Sequence, residues 1–272
     1  MVKLISPEYI QPFGLNFIRV AVTVCLFWIL FLVKPAKGGV DKKDIPRFLL
    51  CALTGVAINQ LLFIKGLTLT TPIHAALLIL ITPVFILLIA VILRNESMSL
   101  LKAAGLLMGI GGSSLLIVSR ENSIIGSDIL LGDVLVIINA ISYAFYYILV
   151  KPLMRKYTAL HVIRWVFTFG ILLILPFCWS QFVNTNWQQF GTIQILALIF
   201  VVLGATFFAY LFTVYGLQHL SASAAGAFIY LQPIFSTLFS FLVFGELITF
   251  SKVLAAILIF SGVYLVNKKK LS

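Results

Sequence analysis

The sequence predicts an all-α polytopic membrane protein, a helix bundle built from one segment used twice. Three observations carry that expectation. Of 272 residues, 62% are hydrophobic and 10% charged, with a mean hydropathy of +1.15. A soluble domain carries about 25% charged residues, so this chain has too few to cover a water-facing surface. Its apolar residues fall in runs of about 20, the length that crosses a bilayer core, not in the short alternating segments of a β-barrel. Finally, residues 81–96, ITPVFILLIAVILRNE, return 150 positions later at 231–246 as LQPIFSTLFSFLVFGE, with no gap needed.

The apolar runs divide into nine spans. The first, 11–33, opens at Pro12, where a missing N–H costs nothing at a helix start, and holds Arg19 and Trp28. The second, 46–69, also opens at a proline and carries Asn59 and Gln60. The third, 72–93, has Thr82 and Pro83 at its middle. The fourth, 99–119, shows Gly105, Gly109 and Gly112 as a stripe of small residues that lets a neighbouring helix come close. The fifth, 130–150, places Asp133 in its first turn, where the helix dipole favours an acid, and Asn139, Tyr143 and Tyr146 on one face. The sixth and seventh, 161–181 and 192–215, carry Arg164 and Tyr210. The eighth, 223–244, starts in the nearly bare SASAAGA and has Tyr230, Gln232 and Pro233 at its middle; the ninth is 251–266.

Basic residues sort between the two ends of these spans. One face collects Lys34, Lys37, Lys42, Lys43, Arg47, Arg94, Lys151, Arg155, Lys156 and the Lys268–Lys270 run; the other has little beyond Lys3, Arg120 and Lys252. The basic face is expected to be cytoplasmic, which puts the C-terminus inside. The net charge of +11 is therefore a topology signal and not a nucleic-acid surface. Residues 1–11 carry Lys3, Pro7 and Glu8 and are not expected to be a cleaved leader.

Aligned at the constant offset, Gly66 to Arg120 matches Gly216 to Lys270: Pro83 meets Pro233, Phe85 meets Phe235, Glu96 meets Glu246, Lys102 meets Lys252 and Gly112 meets Gly262. The repeats are expected to occupy 1–125 and 126–272. The second has five spans and the first four, with Val2-Lys3 resembling Val150-Lys151 at the tail of the fifth. The expectation is a ten-helix bundle of which nine helices are present, the first being missing. An odd number of spans per repeat makes the second copy enter from the opposite side. Inverted copies are the usual plan of secondary transporters, with the site near mid-membrane.

These residues resemble the drug/metabolite transporter superfamily, and within it the EamA-type transporters. The resemblance covers nearly the whole chain. It rests on the doubled Gly-Leu … Pro-x-Phe … Glu … Lys … Gly pattern and on Pro12-Phe13 … Phe17-Ile18-Arg19. It implies two inverted EamA units and the export or exchange of small metabolites. In the family the first helix helps line the central cavity.

Several side chains are candidates for the substrate cavity. A charge near the centre of a span costs about 2.5–3.5 kcal/mol, and Arg19 lies two turns into its own. It either holds an anionic group of the solute, or pairs with Asp133 or backbone carbonyls, or snorkels outward. Uncharged candidates are Asn59, Gln60, Thr82, Asn139, Tyr143, Tyr146, Tyr210, Tyr230 and Gln232, each of which can equally bond a neighbouring helix. Pro83 and Pro233 free the carbonyls of Ile79 and Ile229 and are expected to open both helices locally, for the site or for packing alone. Glu96 and Glu246 are expected to cap a helix or pair with Lys102 and Lys252. Arg164 and Lys65 are expected to reach headgroups, His74 to lie at the interface, and Trp28, Trp165, Trp179 and Trp187 to anchor there.

The function expected is a secondary transporter of a small organic, amino-acid-like metabolite working by alternating access in a plasma (bacterial inner) membrane. A truncated, non-transporting remnant or a partner subunit is the alternative. An enzyme is not expected: His74, His161 and His219 lie at span ends on different helices and deep acids are missing. Cys25, Cys51 and Cys178 fall inside apolar runs without metal-ligand spacing, so no metal or cofactor is expected. Lacking a deep acid, transport is expected to be exchange or facilitated, or to use a shallow proton site such as Asp133.

Overall fold

Hydroxyls and prolines set where the helices begin. Ser99, Thr158, Ser221 and Thr249 each accept the backbone N–H three residues on, at 3.2–3.4 Å, satisfying one of the orphan donors of a first turn. Pro46 and Pro83 occupy first-turn positions, where no N–H is needed. The computed structural model describes residues 5–33, 39–70, 72–93, 96–118, 128–244 and 249–268. Among them no strand occurs, and the helices are α1 Pro12–Val33, α2 Ile45–Leu69, α3 Pro72–Ile79, α4 Thr82–Ile92, α5 Leu100–Val118, α6 Ile129–Leu149, α7 Lys151–Met154, α8 Ala159–Val183, α9 Thr192–His219, α10 Ala222–Ala227, α11 Gln232–Phe244 and α12 Phe250–Asn267. Seven described runs are long and apolar enough to cross a membrane, with Leu100–Leu115 a shorter one. The chain is an all-α polytopic membrane protein.

Two kinds of irregularity recur at equivalent positions of the repeat. Helix α2 carries a π turn at Leu53–Ala57 and α9 one at Leu203–Phe208, 150 positions on. A π turn swings carbonyls out of the ordinary ladder. The second irregularity sits before the prolines. The chain breaks at Leu80 and Ile81 before α4, whose N–H groups reach back only three residues, to Leu77 and Leu78. It tightens into a 3₁₀ turn at Phe228–Leu231 before α11. Each break lies just ahead of Pro83 or Pro233. A proline there cannot donate and its ring crowds the preceding turn.

The chain forms two compact units, each drawing on both copies of the repeat. One takes residues up to Lys65 and from Leu149 to His219; the other takes Gly66 to Ile148 and everything from Leu220. In the second unit α5 crosses its own equivalent, α12. A Cβ on Gly105 would lie 2.6 Å from the Gly262 carbonyl oxygen, and one on Gly112 would lie 2.7 Å from that of Ala255. As α5 advances α12 retreats, so the two run antiparallel. The contacts are also reciprocal: shifting by the offset turns the Gly105–Gly262 pair into Ala255–Gly112. The first unit repeats the arrangement with α1 and α8. Gly14 packs on the Gln181 backbone, Phe27 on Phe167 and Trp28 on Trp165. The mate of the Gly14–Gln181 pair is Arg164–Phe31, which is also in contact. Each unit is thus an antiparallel pairing of equivalent helices about a local pseudo-two-fold axis.

A Gly105→Ala variant is expected to lose about 1–3 kcal/mol, the usual cost of overpacking, read as a lower melting midpoint in detergent. Gly111→Ala, whose Cβ would meet nothing within 4 Å, is expected to melt as the parent does. The antiparallel pairing also makes a topological prediction. Leu100 and Phe250, the equivalent exposed first residues of α5 and α12, sit at opposite ends of that pair. With the native cysteines replaced, Leu100→Cys and Phe250→Cys are expected to react with an impermeant maleimide from opposite sides of sealed vesicles.

Candidate functional site

In the first unit the two π turns place polar side chains together. Tyr210 stands two residues beyond the π turn of α9, and Gln60, its equivalent in the other copy, three beyond that of α2. The two are bonded directly, Gln60 Nε2 donating to the Tyr210 hydroxyl at 3.2 Å. A residue touching its own equivalent lies on the pseudo-two-fold axis, so this pair marks the axis of the unit. The Tyr210 hydroxyl faces two acceptors, each at 3.2 Å: the Gly55 carbonyl, turned out by the α2 π turn, and Asn59 Oδ1. Thr206, inside the other π turn and fully buried, donates to the Val201 carbonyl five residues back at 3.0 Å. The same hydroxyl accepts from Arg19 Nε at 3.0 Å. Arg19 and Tyr210 are close enough to interact electrostatically. Four of the expected cavity residues, Arg19, Asn59, Gln60 and Tyr210, therefore fall in one cluster.

Thr206 was not among the residues the sequence singled out. The signal was there: Thr54-Gly55 and Gly204-Ala205-Thr206 are small and polar stretches at equivalent places in otherwise apolar spans. Also on the α1 face that carries Arg19, Thr23 is fully buried, and its hydroxyl has no partner among the described residues.

The remaining candidates belong to the second unit. Asn139 is buried, and Tyr143 stacks on Tyr146 at 5.9 Å and meets Tyr147 edge-on at 4.9 Å. Tyr230 is fully buried, its ring filling the space that Gly109 leaves. Ser113 donates to the Tyr230 carbonyl at 3.2 Å, satisfying one acceptor that the 3₁₀ turn loosens. Thr82 is buried while its equivalent Gln232 is exposed.

Some polar residues take other places than expected. Arg164 does not reach outward but is fully buried, its guanidinium 3.6 Å from the Phe31 ring centroid and 4.5 Å from that of Trp28. An aromatic face compensates part of a cation's desolvation. Trp28, itself half-buried, donates to Thr168 Oγ1 at 3.0 Å. His74 meets Asp133 at 3.0 Å, and Thr70 donates to the same carboxylate. Glu96 takes the place expected of it: it pairs with Lys102 at 2.6 Å, and it also accepts from the Ser223 N–H at 3.1 Å and the Ser223 hydroxyl. Glu246 and Arg120 lie outside the described residues.

At one end of the first unit the chain closes with charge. Asp44 accepts from Lys156 at 2.6 Å and Tyr157 at 2.7 Å, and Asp41 joins Lys156. The hydrogen bonds from Lys156 and Tyr157 hold the Asp44 carboxyl below the usual carboxylate range, and those to Asp41 and Asp44 push the Lys156 ammonium up. The opposite end closes with apolar contacts instead. There Tyr9, Phe182, Trp187 and Phe190 pack on one another beside Ile5 and Ile10.

Comparison with known proteins agrees with this architecture. A family model described as the EamA-like transporter family matches residues 1–118 and 130–268. An uncharacterized transporter of Archaeoglobus fulgidus is 26% identical, over 98% of this chain and 91% of that protein. A probable terminal-alkyne amino-acid exporter of Streptantibioticus cattleyicolor is 26% identical, over 84% of this chain and 75% of that protein. One solved crystal structure superposes with a TM-score of 0.78 at 19% identity, covering 95% of this chain and 88% of that one, a likeness of fold.

Glu96 makes stability depend on pH. Burial pushes its carboxyl up, but the bonds from Lys102 and Ser223 together outweigh burial and hold it below the ordinary value. A depressed folded value means the contribution is complete above the unfolded value and is lost as pH falls through the folded one. The melting midpoint is therefore expected to fall on acidification through the carboxylate range, and less steeply in Glu96→Gln, measured as melting curves across pH.

Proposed function

The chain belongs to the EamA-like transporter family, and from that membership we propose that it is a secondary transporter moving a small, amino-acid-like metabolite by alternating access, as an exporter or an exchanger. The observation that carries this reading is the reciprocal, antiparallel pairing of equivalent helices within each unit. An inverted duplication lets one chain adopt two packings in which the copies exchange roles, opening the site to one side and then the other. The paired π turns and the breaks before Pro83 and Pro233 supply the irregular backbone that membrane proteins tolerate where it meets a partner or a cavity. The amino-acid exporter among the relatives favours an amino-acid-like solute.

In this reading the repeats occupy 1–125 and 126–272. The charged closure of the first unit, with Lys42, Lys43, Arg155 and Lys156 beside it, is the cytoplasmic end in a plasma membrane, and the C-terminus is cytoplasmic. Arg19, Asn59, Gln60 and Tyr210 contact the solute. Proteoliposomes loaded with an unlabelled amino acid are expected to take up the same labelled amino acid by counterflow. Tyr210→Phe, which removes the hydroxyl shared by Gly55, Asn59 and Gln60, is expected to slow that uptake about tenfold with the folded yield unchanged. No counterflow with any amino acid would overturn the reading.

A further inference from the structure

We infer that Arg19 is a carboxylate subsite, so that the transported solute is an organic acid with a hydrogen-bond donor beside its carboxylate, as in a free amino acid. The inference rests on the transporter reading above. Arg19 lies within a membrane-crossing helix, where an isolated guanidinium is costly and an acid partner is the usual remedy. Among the described residues it joins no ion pair, and the hydrogen bond it makes there uses Nε alone. Its two terminal nitrogens are left to form the planar fork that takes a carboxylate in two parallel bonds. Arg164 shows the structural alternative. Its charge is buried against aromatic rings, whereas Arg19 is half-buried.

A second observation comes from Gln60. Its side chain is 3% exposed, and Oε1 has no partner among the described residues. The orientation of this amide is set by its surroundings. The Gly55 carbonyl can only accept, so with the Tyr210 proton given to it the hydroxyl accepts from Gln60, which commits the amide nitrogen and leaves the oxygen without a partner among the described residues. An unpartnered acceptor thus sits against Tyr210, one helical turn from the Thr206 hydroxyl that holds Arg19. A carboxylate with a neighbouring ammonium satisfies both. Thr206 is a positioning residue. Anchored on Val201, it holds Nε and so fixes the plane of the fork.

The test is thermal stabilisation of the purified full chain by the proteinogenic amino acids, each beside its carboxamide, with counterflow measured in parallel. At least one acid is expected to stabilise the protein while its amide does not. Arg19→Gln is expected to abolish that shift, and Arg19→Lys, which keeps the charge but not the fork, to weaken binding about tenfold or more. Thr206→Val is expected to weaken it about tenfold and Thr206→Ser to restore it, a selective loss that mere destabilisation would not produce. Equal stabilisation by acid and amide, none by any acid, or binding unchanged in Arg19→Lys would overturn the inference. Counterflow of a solute lacking a carboxylate would do so too while leaving the transporter reading intact. Carboxylate-selective binding without any flux would overturn the transporter reading alone.

Discussion

Two helix backbones meet where Gly105 faces Gly262, and the geometry of that crossing organises the rest of its unit. Lipid tails are as apolar as leucine, so burying apolar surface gives helices no reason to associate; close packing of small residues does. Because the two helices are copies of one segment, one close contact implies a second, and Gly112 against Ala255 is that second contact. Reciprocity of this kind is satisfied only when the copies run antiparallel. The α1–α8 pair obeys the same rule with larger side chains, Gly14 on Gln181 and Phe31 on Arg164.

Pseudo-symmetry also explains where polar chemistry can live. A π turn at the same place in both copies turns carbonyls out of α2 and α9, and a span cannot leave carbonyls unsatisfied in hydrocarbon. The two copies solve the problem differently. In α9 the Val201 carbonyl just ahead of the turn accepts from Thr206 within it, and in α2 the Gly55 carbonyl accepts from Tyr210 of the other copy. Symmetry supplies the paired openings. The departure from symmetry, Gln60 opposite Tyr210 on the axis, supplies a donor facing an acceptor where two identical residues would compete for one role.

Most of the fold was legible because its determinants are local or periodic. Span positions followed from run length, starts from proline and hydroxyl residues, and inversion from an odd number of spans between matched positions. The site was legible only in part. Arg19, Gln60 and Tyr210 stood out as polar residues deep in apolar runs, but Thr206 did not, since a single threonine is unremarkable until a π turn brings its hydroxyl to an arginine on another helix. Arg164 was misread for the opposite reason. Position near a span end suggests snorkelling, and only the tertiary approach of Phe31 and Trp28 gives a buried cation an alternative. Contacts between spans decide both cases; the recurring small and polar stretch at Thr54-Gly55 and Gly204-Thr206 marks the place but not the partner.

The two arginines show two ways in which such contacts accommodate a charge within a span. They lie on equivalent helices, but shifted by the offset Arg164 falls on Gly14 and Arg19 on Phe169, so neither belongs to the repeat. Each is an addition that its copy had to accommodate. Arg164 is accommodated by aromatic faces and by the His161 ring nitrogen, 3.3 Å from Nη2. Arg19 is accommodated at a single nitrogen, by a hydroxyl whose own proton is already committed to a carbonyl. A cation held that way keeps its orientation and most of its hydrogen-bonding capacity. Pre-organisation of this sort lowers the cost of ordering a site when a ligand arrives, and here a threonine one turn from a tyrosine, in a helix deformed at that turn, holds the plane of the charged group.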